Sequence, residues 1–241
     1  MKPAVAIALR ATGGLLAVAL VAVCGWFGYD MLARRPIASV EFTGDTRRVP
    51  LTDLDRLAAG LRGRRGSDVA LPAVREAVNR LPWVRDCAVR RRFPDVLEVA
   101  IEVHAPLARW DDTRLVSVRG EVFTADFEGD LPRFSGPEGT SAEMAAAWKR
   151  IREETAPLGS PVTEIRLTQR RAWQAKLASG LAIDLGRGDF DARLTRFAAL
   201  WPQIAAQAAT ATHADLRYPN GFALRAVAGA EKKPAPKGRR A

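Results

Sequence analysis

The stretch WVRDCAVRRRFPDVLEVAIEV, Trp83 to Val103, decides the fold of the first half of the chain. In its second part Leu97, Val99, Ile101 and Val103 alternate with Glu98 and Glu102. A period of two puts apolar side chains on one face and carboxylates on the other, as in a half-buried strand. The first part, ending in the basic run Arg90 to Arg92, is read as a second strand, with Phe93-Pro94-Asp95 as the turn between them. Cys87 on that strand reads as a small buried hydrophobe. Upstream, IASVEFTG (Ile37 to Gly44) reads as a strand. LTDLDRLAAGL (Leu51 to Leu61) places Leu51, Leu54, Leu57, Ala58 and Leu61 at helical spacing, with Thr52 as the expected N-cap. LPAVREAVNRL (Leu71 to Leu81) is a second helix, with Pro72 in its first turn and Val74, Ala77, Val78 and Leu81 on one face. The order is β-α-α-β-β, compact enough for a small domain.

Before this domain lies an uncharged run, ATGGLLAVALVAVCGWFGY, from Ala11 to Tyr29. About 20 apolar residues cross the hydrocarbon of a bilayer, and this run with its flanks reaches that length. Trp26 and Tyr29 sit at its far end, where amphipathic rings favour the interface. A cleaved signal peptide is disfavoured, because the small residues Ala17 and Ala19 lie inside the apolar run. A lipoprotein signal ending at Cys24 is disfavoured by the bulky Val23 before it. The expected organisation is a cytoplasmic tail (1–10), an uncleaved transmembrane helix (11–32), the β-α-α-β-β domain (36–105), a second domain (106–228) and a basic disordered tail (229–241). Arg34, Arg35, Arg47 and Arg48 follow the span closely, so the positive-inside rule does not by itself fix the orientation.

The formal net charge is +10, but much of it sits at the two ends. Lys232, Lys233, Lys237, Arg239 and Arg240 face only Glu231 in the last eleven residues. That distribution, with no zinc-finger spacing and no RNA-recognition signature, argues against a nucleic-acid partner. The two cysteines, Cys24 and Cys87, form no disulfide framework.

In the second domain, RLVSVRGEVFTAD reads as a strand, a turn at Gly120 and a strand, and LPRFSGPEGT as a Gly- and Pro-rich loop. SAEMAAAWKRIREE is a helix capped by Ser141, with Met144, Trp148 and Ile151 on one face. VTEIRLT, AWQAKLA and LAIDLG are three strands. DFDARLTRFAALWPQIAAQ is a helix with Phe190, Leu194, Phe197 and Trp201 at helical spacing, Asp189 as N-cap and Pro202 kinking or shortening it. Last comes HADLRYPNGFALR (His213 to Arg225), a hairpin in which Asn220-Gly221 is a strong turn signal. The fold class expected is α+β.

A β-α-α-β-β unit just after a single apolar span resembles a POTRA domain. LPWVRDCAVRRRFPDVLEVAIEVHAPLARW (Leu81 to Trp110) is similar to the FtsQ/DivIB family of bacterial cell-division proteins. It shares the LPWV start, the basic strand end before Pro-Asp, and the P-x-A-R-W run at Pro106 to Trp110. TQRRAW, LGRGD and DLRYPNG match that family's β-rich second domain. The resemblance implies a single-pass type II protein of the bacterial inner membrane, with both domains in the periplasm and enrichment at the septum. It implies a divisome scaffold that binds FtsB and FtsL and links early and late division proteins. The alternative is a POTRA-type chaperone or assembly accessory for exported proteins. No β-barrel repeat follows the POTRA-like unit, which disfavours that alternative.

No converging reactive groups suggest catalysis. His104 and His213 have no metal-ligand spacing to a cysteine or to each other. Asp111 and Asp112 read as a solvated turn. LGRGDF lacks the third glycine of a dinucleotide fingerprint and the Lys-Ser/Thr of a phosphate loop, so Gly186 and Gly188 are taken as turn residues. No cofactor, metal or small-molecule substrate is expected. The terminal strand FALRAV (Phe222 to Val227) instead offers a free sheet edge, a template for a partner strand. The resemblance puts the partner-binding surface at Arg217, Tyr218, Asn220, Gly221 and Phe222, and at Arg170 of the RRAW strand. A family aromatic beyond the glycine is missing here, and Tyr218 and Phe222 are the two candidates for the anchoring ring.

Overall fold

The computed structural model describes residues 18–31, 35–206, 208 and 210–226. The chain divides into two compact units between Val103 and His104. Residues 18–31 are helical and strongly apolar at the surface, with Val18, Leu20, Val21, Val23, Trp26 and Phe27 between 64% and 79% exposed. Among the described residues no helix is long and apolar enough to cross a membrane. The span expected over 11–32 extends outside the described residues at 11–17 and 32, as do the tails expected at 1–10 and 229–241.

In the first unit β1 (Ser39–Gly44) is followed by α1 (Leu51–Leu61), α2 (Leu71–Asn79), β2 (Val84–Arg92) and β3 (Val96–Val103). The sheet order is β1-β3-β2, with β1 parallel to β3 and β2 antiparallel to it. The parallel pair requires a crossover, and the two helices provide it. Leu97, Val99 and Ile101 from β3 are buried with Leu54, Ala58 and Leu61 from α1 and Val74 and Val78 from α2. Each fully buried Leu, Ile or Val contributes ~1.5–3 kcal/mol over leaving it in water. Ala77, expected on the inner face, is exposed. Thr52 is not the N-cap of α1: Pro50 holds that place without a side-chain cap bond, and the helix begins at Leu51. Gly44 at φ +92° ends β1 where an added Cβ would lie 2.2 Å from the Ile101 carbonyl oxygen. Cys87 is buried at 5% exposure, and burial pushes its thiol pKa up. Glu98, expected to face water, is buried at 7% and is held by Arg90 at 2.8 Å.

The second unit is a nine-stranded mixed sheet carrying two helices. The strands are β4 (Pro106–Arg109), β5 (Arg114–Ser117), β6 (Val122–Thr124), β7 (Arg133–Ser135), β8 (Val162–Leu167), β9 (Ala172–Leu177), β10 (Ala182–Arg187), β11 (Ala211–Asp215) and β12 (Ala223–Ala226). Their spatial order is β12-β11-β10-β9-β8-β7-β4-β5-β6. Two right-sized crossovers organise it. Helix α3 (Ser141–Thr155) connects the parallel pair β7–β8, and α4 (Asp191–Ile204) connects the parallel pair β10–β11. Met144, Trp148 and Ile151 of α3 and Leu194 and Phe197 of α4 are buried against Phe134, Ile165, Trp173, Ile183 and Leu185 of the sheet. Trp173 and Phe190 meet edge to face at 5.7 Å, a geometry favoured by the ring quadrupoles.

Several local expectations are corrected. The stretch read as the loop LPRFSGPEGT contains β7, which joins β4 to β8 with Phe134 fully buried. Its three residues are too few to show a period. Ser141 is the first helical residue and not the cap. Its hydroxyl donates to the Gly120 carbonyl at 2.7 Å, while Thr140 holds the cap position. Phe190, not Asp189, precedes α4, although the Asp189 carboxylate does accept from the Asp191 amide at 3.0 Å. Pro202 lies inside α4, which ends two residues later at Ile204. The last hairpin is no tight Asn-Gly turn. Asp215 pairs with Ala223, so residues 216–222 form a wide loop, and neither Asn220 nor Gly221 has positive φ.

Candidate functional site

The wide loop between β11 and β12 is held at three points. Leu216 is buried, and its amide donates to the Asp184 carbonyl at 2.9 Å, continuing the pairing of β11 with β10. The Arg196 guanidinium on α4 donates to the Pro219 carbonyl at 2.6 Å. The Phe222 ring packs edge to face on Phe197 at 5.0 Å and joins the rim of the core. Between these points Arg217, Tyr218, Pro219 and Asn220 are exposed, Tyr218 at 51%. The two candidate aromatics therefore differ: Phe222 faces the core and Tyr218 faces outward. An aromatic on the surface, with a polar tip, is the type that anchors a partner.

Arg217 is fixed by Asp215 through two bonds, from Nε at 2.9 Å and Nη2 at 2.6 Å. The Arg217 guanidinium is the main reason the Asp215 carboxyl is held down at about 2, and Asp215 in turn pushes Arg217 upward. Gly186, at φ +80° and beside a bulge in β10, leaves room for this side chain. A Cβ there would come within 3.1 Å of Arg217 Cγ. Arg170 is not on a strand but on the exposed turn between β8 and β9, where the Arg171 amide donates to the Thr168 carbonyl at 2.8 Å. Its neighbour Arg171 is bound by Glu143 of α3 at 2.7 and 2.8 Å. Arg170 and Arg217 nonetheless line one open cavity of about 580 Å³, together with Arg187, Arg193, Thr168 and Gln169.

Arg187 and Arg193 escaped the sequence reading. Arg193 is locked by donating to the Leu185 carbonyl at 3.0 Å and the Arg187 carbonyl at 2.9 Å. The sequence signal for this corner was Gly186 inside a strand pattern, which marks a bulge or a close backbone approach. Four arginines line one cavity, and among the described residues only Arg217 of the four is paired with a carboxylate, which leaves a positive surface suited to hydrogen-bond acceptors such as carboxylates. Asn220 is exposed and Gly221 is half-buried. Beside the loop, β12 has β11 as its neighbour on one side and ends the sheet order among the described residues. All four of its residues are exposed.

The two histidines and the Asp111–Asp112 pair lie outside this cavity. His104 follows β3 and stacks on Phe123 at 4.2 Å, with Nδ1 3.4 Å from a Glu121 oxygen. His213 lies within β11 and bonds Asp184 at 3.0 Å. Asp111 accepts from the amides of Thr113 and Arg114, and these bonds with the Arg114 side chain hold its carboxyl at about 2. Asp112 points instead to Arg133 at 3.6 Å. Among the described residues no group of three or more His, Cys, Asp or Glu side chains is arranged to hold a metal ion.

Comparison with known proteins matches both units. Residues 35–102 match the model of the POTRA domain, FtsQ-type, and residues 108–217 match that of the cell division protein FtsQ/DivIB, C-terminal. The chain is 36% identical to the cell division protein FtsQ of Xanthomonas campestris over 95% of its own length and 86% of that protein's. It is 36% identical to FtsQ of Burkholderia pseudomallei, covering 88% of each. Identity to FtsQ of Escherichia coli is 31%, over 87% of this chain and 81% of the relative. A POTRA unit followed by a β-rich unit of this kind, matched along most of its length, makes the chain a member of the FtsQ/DivIB family of cell-division proteins.

Proposed function

We propose that the chain is a membrane-anchored divisome scaffold that receives a partner strand on the outer edge of β12. The observation that carries this reading is β12 itself: a short, wholly exposed strand at the end of the sheet, joined by the 216–222 loop to Arg217 of the arginine-lined cavity. The partner proposed is the complex of FtsB and FtsL. The strand expected over Phe222–Val227 is described as β12 over Ala223–Ala226, with Val227 outside the described residues, and its outward backbone N–H and C=O groups pair with the incoming strand. Arg170 and Arg217, with Arg187 and Arg193 beside them, take its carboxylates. Tyr218 supplies the aromatic anchor, and Asn220, Gly221 and Phe222 shape the loop that presents it.

In this reading residues 11–32 span the bacterial inner membrane once, in type II orientation. The domains proposed at 36–105 and 106–228 then stand in the periplasm at the septum, linking early and late division proteins. The uncharged run of the sequence and the exposed apolar side chains of residues 18–31 support the anchor. The scaffold reading needs no catalytic step and no cofactor. The direct test is Tyr218→Ala in the full chain. It abolishes co-purification with FtsB and FtsL while the circular dichroism spectrum and melting point stay those of the unsubstituted protein. Retained co-purification removes Tyr218 from the surface.

A further inference from the structure

The basic end of β2 and the turn after it take no part in the surface described above. Phe93, at that turn, is 55% exposed. Its ring faces Tyr29, with centroids 6.1 Å apart. Tyr29 lies near the end of the apolar helix 18–31. A cavity of about 270 Å³ opens here, and Tyr29, Arg35, Arg91, Phe93 and Asp95 are among the residues lining it. Arg64 and Arg65 run alongside. The Ile37 amide donates to the Arg64 carbonyl at 2.9 Å, and Pro36 forms a β-bridge with Arg65.

Among the described residues five arginines, Arg35, Arg64, Arg65, Arg91 and Arg92, share this end with four carboxylates, Asp30, Glu41, Asp68 and Asp95. Arg92 is held by Glu41 at 2.6 Å. Arg91 donates to the Val69 carbonyl at 2.7 Å and has no carboxylate partner among the described residues. Arg35, Arg64 and Arg65 are exposed and likewise make no ion pair there. Beside Glu41 the carboxylates of this end are Asp30, Asp68 and Asp95, and Asp68 accepts from the Ser67 hydroxyl at 2.9 Å. An exposed aromatic that shares its cavity with Arg35, Arg91 and Arg92, with the Arg64–Arg65 backbone beside it, has the composition of a membrane-interface contact, the ring at headgroup depth and guanidinium forks on phosphate.

The geometry points to a second membrane contact: the Phe93 turn, with Arg35, Arg64, Arg65 and Arg91, docks on anionic phospholipid headgroups. The occupant follows from continuity. The helix whose apolar side chains need a bilayer brings Tyr29, and therefore Phe93, to the headgroup layer of that bilayer. The inference rests on the anchor reading of residues 11–32. It adds that the first domain is seated on the membrane rather than tethered above it. It also gives the arginines that follow the span a role outside the cytoplasm.

The test uses the full chain with benzoylphenylalanine in place of Phe93, reconstituted in nanodiscs and irradiated. In discs containing phosphatidylglycerol, mass spectrometry finds lipid adducts at position 93. The yield falls about fivefold for each arginine removed in Arg64→Gln and Arg64→Gln/Arg65→Gln chains, the equivalent of ~1 kcal/mol per cation at an anionic surface. These two side chains make no hydrogen bond among the described residues, so melting is unchanged. Discs of phosphatidylcholine alone give a comparably low yield. The same probe at Arg80, exposed beyond the far end of α2, gives no lipid adduct. Adducts to protein rather than lipid, or a lipid yield indifferent to both lipid charge and the arginines, overturn the docking. A chain that enters discs normally yet shows either result leaves the anchor standing, whereas a chain that fails to enter overturns both.

Discussion

Replacing Phe222 and Tyr218 separately distinguishes a loop that is held by one aromatic and presented through another. Phe222 is half-buried and touches Phe197 edge to face, while Tyr218 is 51% exposed. A fully buried Phe→Ala change costs ~3–5 kcal/mol. With about half of that burial, and an aromatic pair of ~1 kcal/mol included in it, Phe222→Ala costs ~2 kcal/mol. For a unit of this size each kcal/mol moves the melting temperature by roughly 4 °C, so the expected drop is roughly 8 °C. Tyr218→Ala shifts stability by less than ~0.5 kcal/mol, as exposed substitutions do. Its effect is on binding, where loss of an anchoring tyrosine costs ~2 kcal/mol, about thirtyfold in Kd. Tryptophan fluorescence during thermal unfolding reads the first quantity well, because Trp110, Trp148, Trp173 and Trp201 all lie in this unit. Titration with the FtsB–FtsL complex reads the second. Phe222→Leu, which keeps most of the volume, recovers more than half of the lost stability. The reasoning fails if Tyr218→Ala melts lower than Phe222→Ala, or if Phe222→Ala is as stable as the unsubstituted chain.

Three further outcomes follow from the geometry. Gly186→Ala forces a residue with a Cβ to φ +80° and toward Arg217 Cγ, so it lowers stability by ~1–2 kcal/mol in denaturant titration and weakens partner binding through Arg217. The Asp215 carboxyl sits at about 2 in the folded chain against ~3.9 unfolded, so its contribution is complete above roughly pH 4 and is lost as pH falls toward 2. The denaturation midpoint of Asp215→Asn should therefore fall less steeply over that window, with the remaining slope partly from Asp111, which is held at about 2 as well. The Cys87 thiol is buried and its pKa raised by that burial, so iodoacetamide at pH 8 leaves it unmodified until the chain unfolds. Rapid native labelling at Cys87 would contradict the packing of β2 on the helices.

The hairpin of the first unit was legible because its β3 half has an uninterrupted period of two and a Pro-Asp break before it. Alternation nevertheless put Glu98 in water, where the structure buries it beneath Arg90, because a neighbouring strand can supply a cation that covers a carboxylate. The helices were legible from their apolar spacing but their starts were not. Thr52 and Ser141 looked like caps, yet the helices begin one residue earlier and at Ser141 itself. β7 was illegible for a different reason. Three residues between prolines carry no pattern, and the strand exists because β4 and β8 pair on its two sides. Asn220-Gly221 was a true signal of a reversal but not of its width. The buried Leu216 and the Phe222 contact with Phe197 open the loop to seven residues, and no local propensity encodes that. Of the candidate surface, the family motif located Arg170 and Arg217, which the fold brings to one cavity. Arg187 and Arg193 could be found only once β10 and the start of α4 were placed beside them.

The central claim is that another chain adds a strand to β12, and backbone hydrogen exchange tests it most directly. Amide exchange of the full chain is followed by mass spectrometry with and without the FtsB–FtsL complex, on peptides covering residues 211–226. Marked slowing is expected at residues 223–226, where β12 gains a neighbour, with little change in β4 to β6 at the opposite end of the sheet order. Slowing confined to the β4–β6 end, or complex formation that leaves β12 exchanging as it does in the free chain, would contradict it.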